Sequence, residues 1–395
     1  MTDRDPRTVA AGAEPSLDAA AWDTLVALDP RASYLQQTAW GRVKAANGWR
    51  AVRVVARSGE GTARPARLIG GQVLLRRPRG VPWSFGYAPR GPMGALDDDA
   101  IAAWTAALRG QAWGERVALV RIDPELEAGT PADASSVLDR AGWRRSPSIQ
   151  PLVSRVVDLH AGEAALWSDL RKKWRQYVNK ARSAGVTIVE VDADRLPEFH
   201  AILTETARRA GTRIRAASAY RDVWDAFRAS GQARLLFAIG PDGDAQAALL
   251  LVRCGARVVE PYGGMTAAGA ASRANYLVKW EAIRSSTEAG AVSYDMWGLV
   301  HPGIEQFKAG FGGREITYIG GWELPIDRLG ALAYRTAAGI TRAVDGLRGT
   351  GRVGRPAQAP AGVGAAQDDA DAPTDGRAGP TDPATTRADD DRTAG

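Results

Sequence analysis

Lys308 stands in the run Glu305-Gln-Phe-Lys-Ala-Gly-Phe-Gly-Gly313, shortly after the segment Tyr294-Asp-Met-Trp-Gly-Leu299. The glycines at 310, 312 and 313 predict a tight connection that follows one strand and precedes another, and connections held by rigid strands are where function concentrates. An ammonium group there could stabilise the oxyanion that develops when an ester carbonyl is attacked. A surface lysine whose neighbours merely shape a turn would carry the same letters. Asp295, at the end of the preceding strand, could accept a proton or serve hydrogen bonding within the fold.

Other cations come with aromatic neighbours. In Gln36-Gln-Thr-Ala-Trp40-Gly-Arg-Val-Lys44, a helix places Trp40 and Lys44 one turn apart on one face. The indole can then pack while the ammonium reaches an anion, or the lysine can simply snorkel. Arg213 and Arg215 precede Tyr220, and a guanidinium suits a diphosphate because its planar fork donates paired hydrogen bonds. Tyr87-Ala-Pro-Arg90-Gly-Pro is a turn in which Arg90 is either a ligand contact or an anchor, and Tyr262-Gly-Gly264 predicts the equivalent turn of the second half. A helix expected over Trp167 to Ala184 has a core stripe of Leu166, Leu170, Trp174, Val178 and Ala181. Its other face carries Arg171, Lys172, Lys173, Arg175, Lys180 and Arg182, suited to nucleic-acid phosphates, to anionic lipid, or to water alone.

Familiar catalytic couples are missing. There is no Gly-x-Ser-x-Gly elbow and no Cys/His pair. Cys254, the single cysteine, falls in an apolar strand-like run and is expected to be buried, and three histidines at unrelated spacings predict no metal site. The composition, 45% apolar and 24% charged, is that of a globular protein. The apolar run Ala247 to Val252 is far too short to cross a bilayer, and the first residues lack the apolar stretch of a secretory signal, so a cytoplasmic location is expected. The net charge of +6 favours a polyanionic partner, although a basic composition can also be a property of the source genome.

The elements that must position these residues read as α/β. Short β-branched runs alternate with amphipathic helices, and Gly240-Pro-Asp-Gly-Asp predicts a hairpin, hence a partly antiparallel sheet. The order of hairpin strands, glycine turn, helix and strand occurs twice. The expected division is residues 1–16 disordered, 17–160 a first domain, 161–345 a second, and 346–395 a disordered low-complexity tail.

The segments around Trp40 and Lys44, Thr206-Ala-Arg-Arg to Tyr220, the basic helix, and above all Asp295 with Phe307-Lys308 and its glycines resemble the FemABX family over about residues 35–324. The resemblance implies two acetyltransferase-like (GNAT-type) domains in tandem, with mixed sheets flanked by helices, in the compact form without a coiled-coil arm. It implies an aminoacyltransferase that moves an amino acid from aminoacyl-tRNA to the stem peptide of a UDP-linked or lipid-linked muramyl precursor, without a cofactor. A peripheral contact with the membrane face fits the same reading. Lys308, with Phe307 and Asp295, would be catalytic; Lys44, Trp40, Arg215, Tyr220, Tyr262 and Arg90 would bind the acceptor; Lys172, Lys173 and Arg175 would meet tRNA. An acyl-CoA-dependent transferase on the same fold would need a pyrophosphate loop that is absent at Gly91 to Asp98 and at Gly264 to Asn275. A binding module using the basic surface is the remaining alternative.

Overall fold

A computed structural model of the chain describes residues 17–58, 67–78, 80–130, 133–299 and 302–336. The first unit begins with helices α1 (Ala19–Leu28) and α2 (Thr38–Ala45). It continues through β1 (Arg50–Ser58), β2 (Arg67–Arg76), β3 (Ser84–Ala88), β4 (Met93–Gly94), α3 (Asp98–Gly110), β5 (Val117–Ile122), α4 (Ser135–Arg140) and β6 (Arg144–Ser146). The second unit runs β7 (Val153–Asp158), α5 (Gly162–Asp169), α6 (Lys172–Ser183), β8 (Thr187–Val191), α7 (Leu196–Ala210), α8 (Ala217–Arg228), β9 (Ala233–Ile239), β10 (Ala245–Cys254) and β11 (Arg257–Met265). Then come α9 (Ala267–Ser272), α10 (Ala274–Glu288), β12 (Ser293–Gly298), α11 (Pro302–Ala309), β13 (Arg314–Thr317) and β14 (Gly321–Pro325).

Each unit builds one mixed sheet. The first has the order β1-β2-β3-β5-β14-β6 with β4 on β2, and the second β13-β7-β12-β11-β10-β9-β8. Each contains one parallel pair bridged by a helix: β3 and β5 across α3, and β11 and β12 across α10. Local signals explain α3. Asp97 caps it by accepting from the Ala100 amide, acids fill its first turn, Arg109 sits in its last, and buried Trp104 donates its indole N–H to the Val54 carbonyl. Strand β10 is buried along nearly its whole length, which is why Ala247 to Val252 reads as a continuous apolar run. Ala248, Leu250, Val252 and Cys254 of β10 lie in one core cluster with Trp22, Val26, Tyr34 and Trp40, so α1 and α2 share a core with Phe199, Tyr220 and Phe227 of the second unit.

The tandem mixed α/β architecture expected from the sequence is present, with corrections. A boundary at residue 160 does not follow the sheets, because β7 lies in the second sheet and β14 returns to the first between β5 and β6. The helix expected over 167–184 is two helices, broken where Leu170 turns extended before α6. No turn occurs at Tyr262-Gly-Gly264. The strand continues to Met265, and the glycines permit close packing instead: a Cβ on Gly263 would stand 2.4 Å from Leu249 Cδ2, and one on Gly264 would stand 2.7 Å from Thr206 Oγ1. Lys308 belongs to helix α11 and not to a glycine-rich turn. The disorder expected for 1–16 and 346–395 concerns segments outside the described residues.

Among the described residues the longest helices, α7 and α10, have 15 residues each, and there is no long helical arm. No described helix is long and apolar enough to cross a membrane.

Candidate active site

A cavity of about 540 Å³ opens where the two units meet. Its first-unit wall carries Tyr34, Trp40, Lys44, Trp49, Phe85, Tyr87 and Arg121, and its second-unit wall Arg215, Tyr262 and Trp297. Tyr334, from a helix over 328–336, closes one side by stacking on Phe85 with ring centroids 5.1 Å apart. The volume and the mixture of aromatic faces with a few cations suit an organic anion with planar or apolar parts.

Four of the predicted acceptor residues meet here. One turn of α2 brings the Lys44 ammonium 4.8 Å from the centre of the Trp40 ring, as the i, i+4 spacing requires. Trp40 is itself held edge-on by Tyr34 at 5.6 Å. Burial, reinforced by the nearby charges of Arg215 and Arg76, lowers the Lys44 pKa to about 8. An anion placed against this ammonium would oppose both effects by favouring its charged form. Arg215 lines the cavity whereas Arg213 is exposed, which separates two arginines that the sequence left in competition. Tyr262 lines the cavity with Tyr220 behind it, their rings edge-to-face at 5.1 Å, so Tyr220 supports the wall from the core. Burial pushes the Tyr220 hydroxyl up to about 12, which keeps it neutral. Arg121 spends its guanidinium on Glu323, at 3.0 Å through Nε and 2.9 Å through Nη2, and Glu323 also takes Arg335 at 2.6 Å.

The three residues predicted to be catalytic stand outside the cavity lining. Lys308 is buried in the last turn of α11, and its ammonium donates to the carbonyls of Gly298 at 2.9 Å and Trp297 at 3.3 Å. Burial, with Lys279 nearby, lowers its pKa to about 7 against the opposing pull of Glu260 and Asp295. Asp295 is committed to the fold. Its carboxylate takes hydrogen bonds from Ser154 and from the Trp297 amide and is ion-paired with Arg257. Arg257 in turn pairs with Glu125 of the first unit, so a buried charge chain ties the two units together beneath the cavity. Phe307 is a core ring packed on Tyr276 and Phe311, and its carbonyl accepts from the Trp174 indole at 2.9 Å. The glycines that drew attention to this segment have structural duties: a Cβ on Gly310 would overlap Trp174, and Gly312 takes a φ of 80° to turn the chain towards β13.

Arg90 is an anchor. It is buried, donates to the Pro151 carbonyl at 2.9 Å, lies 3.3 Å from Glu125, and covers the Tyr318 ring at 4.4 Å. Of the predicted tRNA contacts, Lys172 and Lys173 are exposed on α6, but Arg175 folds back onto the end of α5 and donates to the carbonyls of Ser168 at 2.7 Å and Leu170 at 2.6 Å. Arg175 therefore ties the helix break together instead of facing a ligand. Among the described residues, no group of three His, Cys, Asp or Glu side chains is placed to hold a metal.

The model of the FemAB family matches residues 142–240 and 240–338, which include α6, Arg215, Tyr262, Trp297 and Lys308. This chain belongs to the FemAB family. A Lipid II:glycine glycyltransferase of Staphylococcus aureus (strain MRSA252) is 26% identical over 225 residues, covering 54% of this chain and 52% of the relative, so the match spans about half of that protein's length. The crystal structure of FemX superposes with a TM-score of 0.72 at 19% identity, over 79% of this chain and 96% of that one. A conserved protein of unknown function from Bacteroides thetaiotaomicron VPI-5482 shares the fold at a TM-score of 0.52 and 12% identity, over 79% of this chain and 99% of that one. This member has the compact form.

Sequence reasoning did not single out Tyr34, Trp49, Phe85, Tyr87, Arg121, Trp297 or Tyr334 as site residues. Trp297 and Tyr87 stood inside quoted motifs and offered a signal. Tyr334 offered none, since its place depends on β14 crossing back to the first sheet.

Proposed function

We propose that the chain transfers an amino acid from an aminoacyl-tRNA to the stem peptide of a peptidoglycan precursor. The observation that carries the proposal is the cavity between the two units of a FemAB-family chain, where Lys44 and Arg215 offer cations at an aromatic wall. A nucleotide- or lipid-linked muramyl peptide supplies matching chemistry: a diphosphate for the two cations, and sugar and apolar surface for the rings. The stem-peptide amine attacks the aminoacyl carbonyl, a C–N bond forms, the ester C–O bond breaks, and the terminal ribose oxygen of the tRNA leaves, taking up the proton that the amine releases. Because the ester is already activated, holding the amine near the carbonyl can supply much of the acceleration. The absence of a nucleophile and base couple from the cavity lining agrees with direct attack. The exposed Lys172 and Lys173 are the proposed tRNA-phosphate contacts.

The test is to incubate the purified chain with a UDP-linked muramyl pentapeptide, or with the lipid-linked precursor, and a pool of charged tRNA, and to weigh the product. The expected result is a mass gain of one amino-acid residue that requires charged tRNA. No gain with either acceptor, or a gain supported only by acyl-CoA, would overturn the proposal.

A further inference from the structure

Arg273 joins α9 to α10 in a conformation that suits glycine. Its φ is 68°, in the left-handed region, and its amide closes α9 on the Gly269 carbonyl. Glycine would make this turn at less cost, so a long cation here points to work for the side chain. The guanidinium lies over the Tyr177 ring of α6, 4.6 Å from its centre, and its Nε–H is buried with no hydrogen-bond partner among the described residues. Lys173 reaches the same ring at 5.6 Å, and Arg171 lies 5.7 Å from the centre of the Trp174 ring. Cations and aromatic rings thus alternate where α6 meets the start of α10. That combination holds unpaired nucleotides, through their phosphates and by stacking.

The position of this surface fits a donor that must reach the cavity. Tyr177 packs on Tyr276 of α10 with ring centroids 4.8 Å apart, and Tyr276 packs on Phe307 at 5.1 Å. Strands β11 and β12 are paired over Arg257–Val259 and Ser293–Asp295, and Tyr262 and Trp297, beyond those pairs on either strand, both line the cavity. Arg273 follows the same end of β11, so it lies at the end of the sheet where the ladder between these two strands is open. We propose that Arg273 is a contact for the unpaired 3′ end of the donor RNA, its guanidinium supported on Tyr177 as a plane for a base and a fork for a phosphate, with Lys173 beside it. The assignment rests on the aminoacyl-tRNA reading given above and adds to it a binding residue of the second unit. Coenzyme A carries the same chemistry, an adenine with phosphates, and the test separates the two.

The test uses the full-length chain and two fluorescently labelled RNA duplexes, one with the unpaired 3′ end of a tRNA acceptor stem and one trimmed flush. Binding is read by anisotropy, with coenzyme A titrated separately and steady-state transfer from charged tRNA measured alongside. Arg273→Gly removes the side chain and suits the left-handed backbone, and Tyr177→Leu removes the ring beneath it. We expect the wild type to prefer the tailed duplex. Arg273→Gly should weaken that duplex about tenfold while the flush one changes less than about twofold, and Tyr177→Leu should weaken the tailed duplex about threefold. The KM for charged tRNA should rise in Arg273→Gly while the acceptor KM stays unchanged. Wild-type affinity of Arg273→Gly for the tailed duplex, an equal loss on both duplexes, or Arg273-dependent binding of coenzyme A in place of RNA would each overturn the assignment. A wild-type chain that transfers from charged tRNA without preferring the tailed duplex would sink this assignment alone. A wild-type chain that transfers from no charged tRNA would sink the donor reading and this assignment with it.

Discussion

Lys44 and Lys308 are both lysines in the last turn of a short helix, and burial lowers the pKa of both, to about 8 and about 7. Their surroundings give them different work. Lys44 lies over an indole in the wall of a cavity, a place where an incoming anion would improve its electrostatics. Lys308 is enclosed, and its hydrogen bonds go to two backbone carbonyls. A depressed lysine pKa therefore does not identify a catalytic group by itself; what the ammonium can touch decides. On the proposed function the cavity region binds the acceptor, while the buried ion pairs below it join the two units.

The sharpest way to break this division is to cut the support beneath the cavity. Asp295→Ala deprives the buried Arg257 of one partner and the Trp297 amide of its acceptor. Breaking a buried ion pair costs about 3–5 kcal/mol, so urea unfolding should show a loss of that order. A loss below about 1 kcal/mol would show that Asp295 is not a structural member.

Lys308 offers a pH signature. Its pKa in the folded chain, about 7, lies below the usual lysine value of 10.5, so between those values the unfolded chain binds more protons. Its burial thus penalises the fold fully below about pH 7, and the penalty is relieved as pH rises towards 10.5. Between pH 7 and pH 9 the wild type should gain about 2 kcal/mol of unfolding free energy relative to Lys308→Met. Parallel pH profiles for the two proteins would contradict the burial of a titrating lysine here.

Lys44→Met should do the opposite of Asp295→Ala, costing the fold no stability while weakening the acceptor about tenfold, the range for a lost charge-assisted hydrogen bond. Because the ammonium must be protonated to hold an anion, wild-type affinity should fall as pH rises through about 8, and Lys44→Arg should remove that fall. Calorimetric titrations at pH 7 and pH 9 distinguish the outcomes. The smallest effect is expected on α6. If Lys172 and Lys173 meet tRNA phosphates, each alanine substitution should reduce the slope of log affinity against log salt by about 1, with little change at a single salt concentration. Unchanged slopes would return α6 to the role of a solvated face.

The sequence conveyed the tandem α/β layout because β-branched runs and amphipathic helices are local patterns. It conveyed Trp40 and Lys44 because i, i+4 spacing on a helix is also local. Arg215 was found through family resemblance and Tyr262 through the repeat of the first half's turn, and the structure places both in the cavity lining. Other features depended on long-range pairing. The return of β14 to the first sheet moved the unit boundary and brought Tyr334 to the cavity. Gly263, Gly264 and Gly310 read as turn residues, but their work is close approach to Leu249, Thr206 and Trp174, neighbours from distant parts of the chain. Arg90 and Arg175 read as ligand contacts because a cation near Pro, Gly or a basic stretch looks alike whether it meets a ligand or a carbonyl of its own chain.

A crystal structure of the chain soaked with a UDP-linked muramyl pentapeptide tests the central claim most directly. The account predicts density in the cavity between the two units, with the diphosphate within hydrogen-bonding distance of Lys44 and Arg215. Density for the ligand elsewhere on the chain would contradict it.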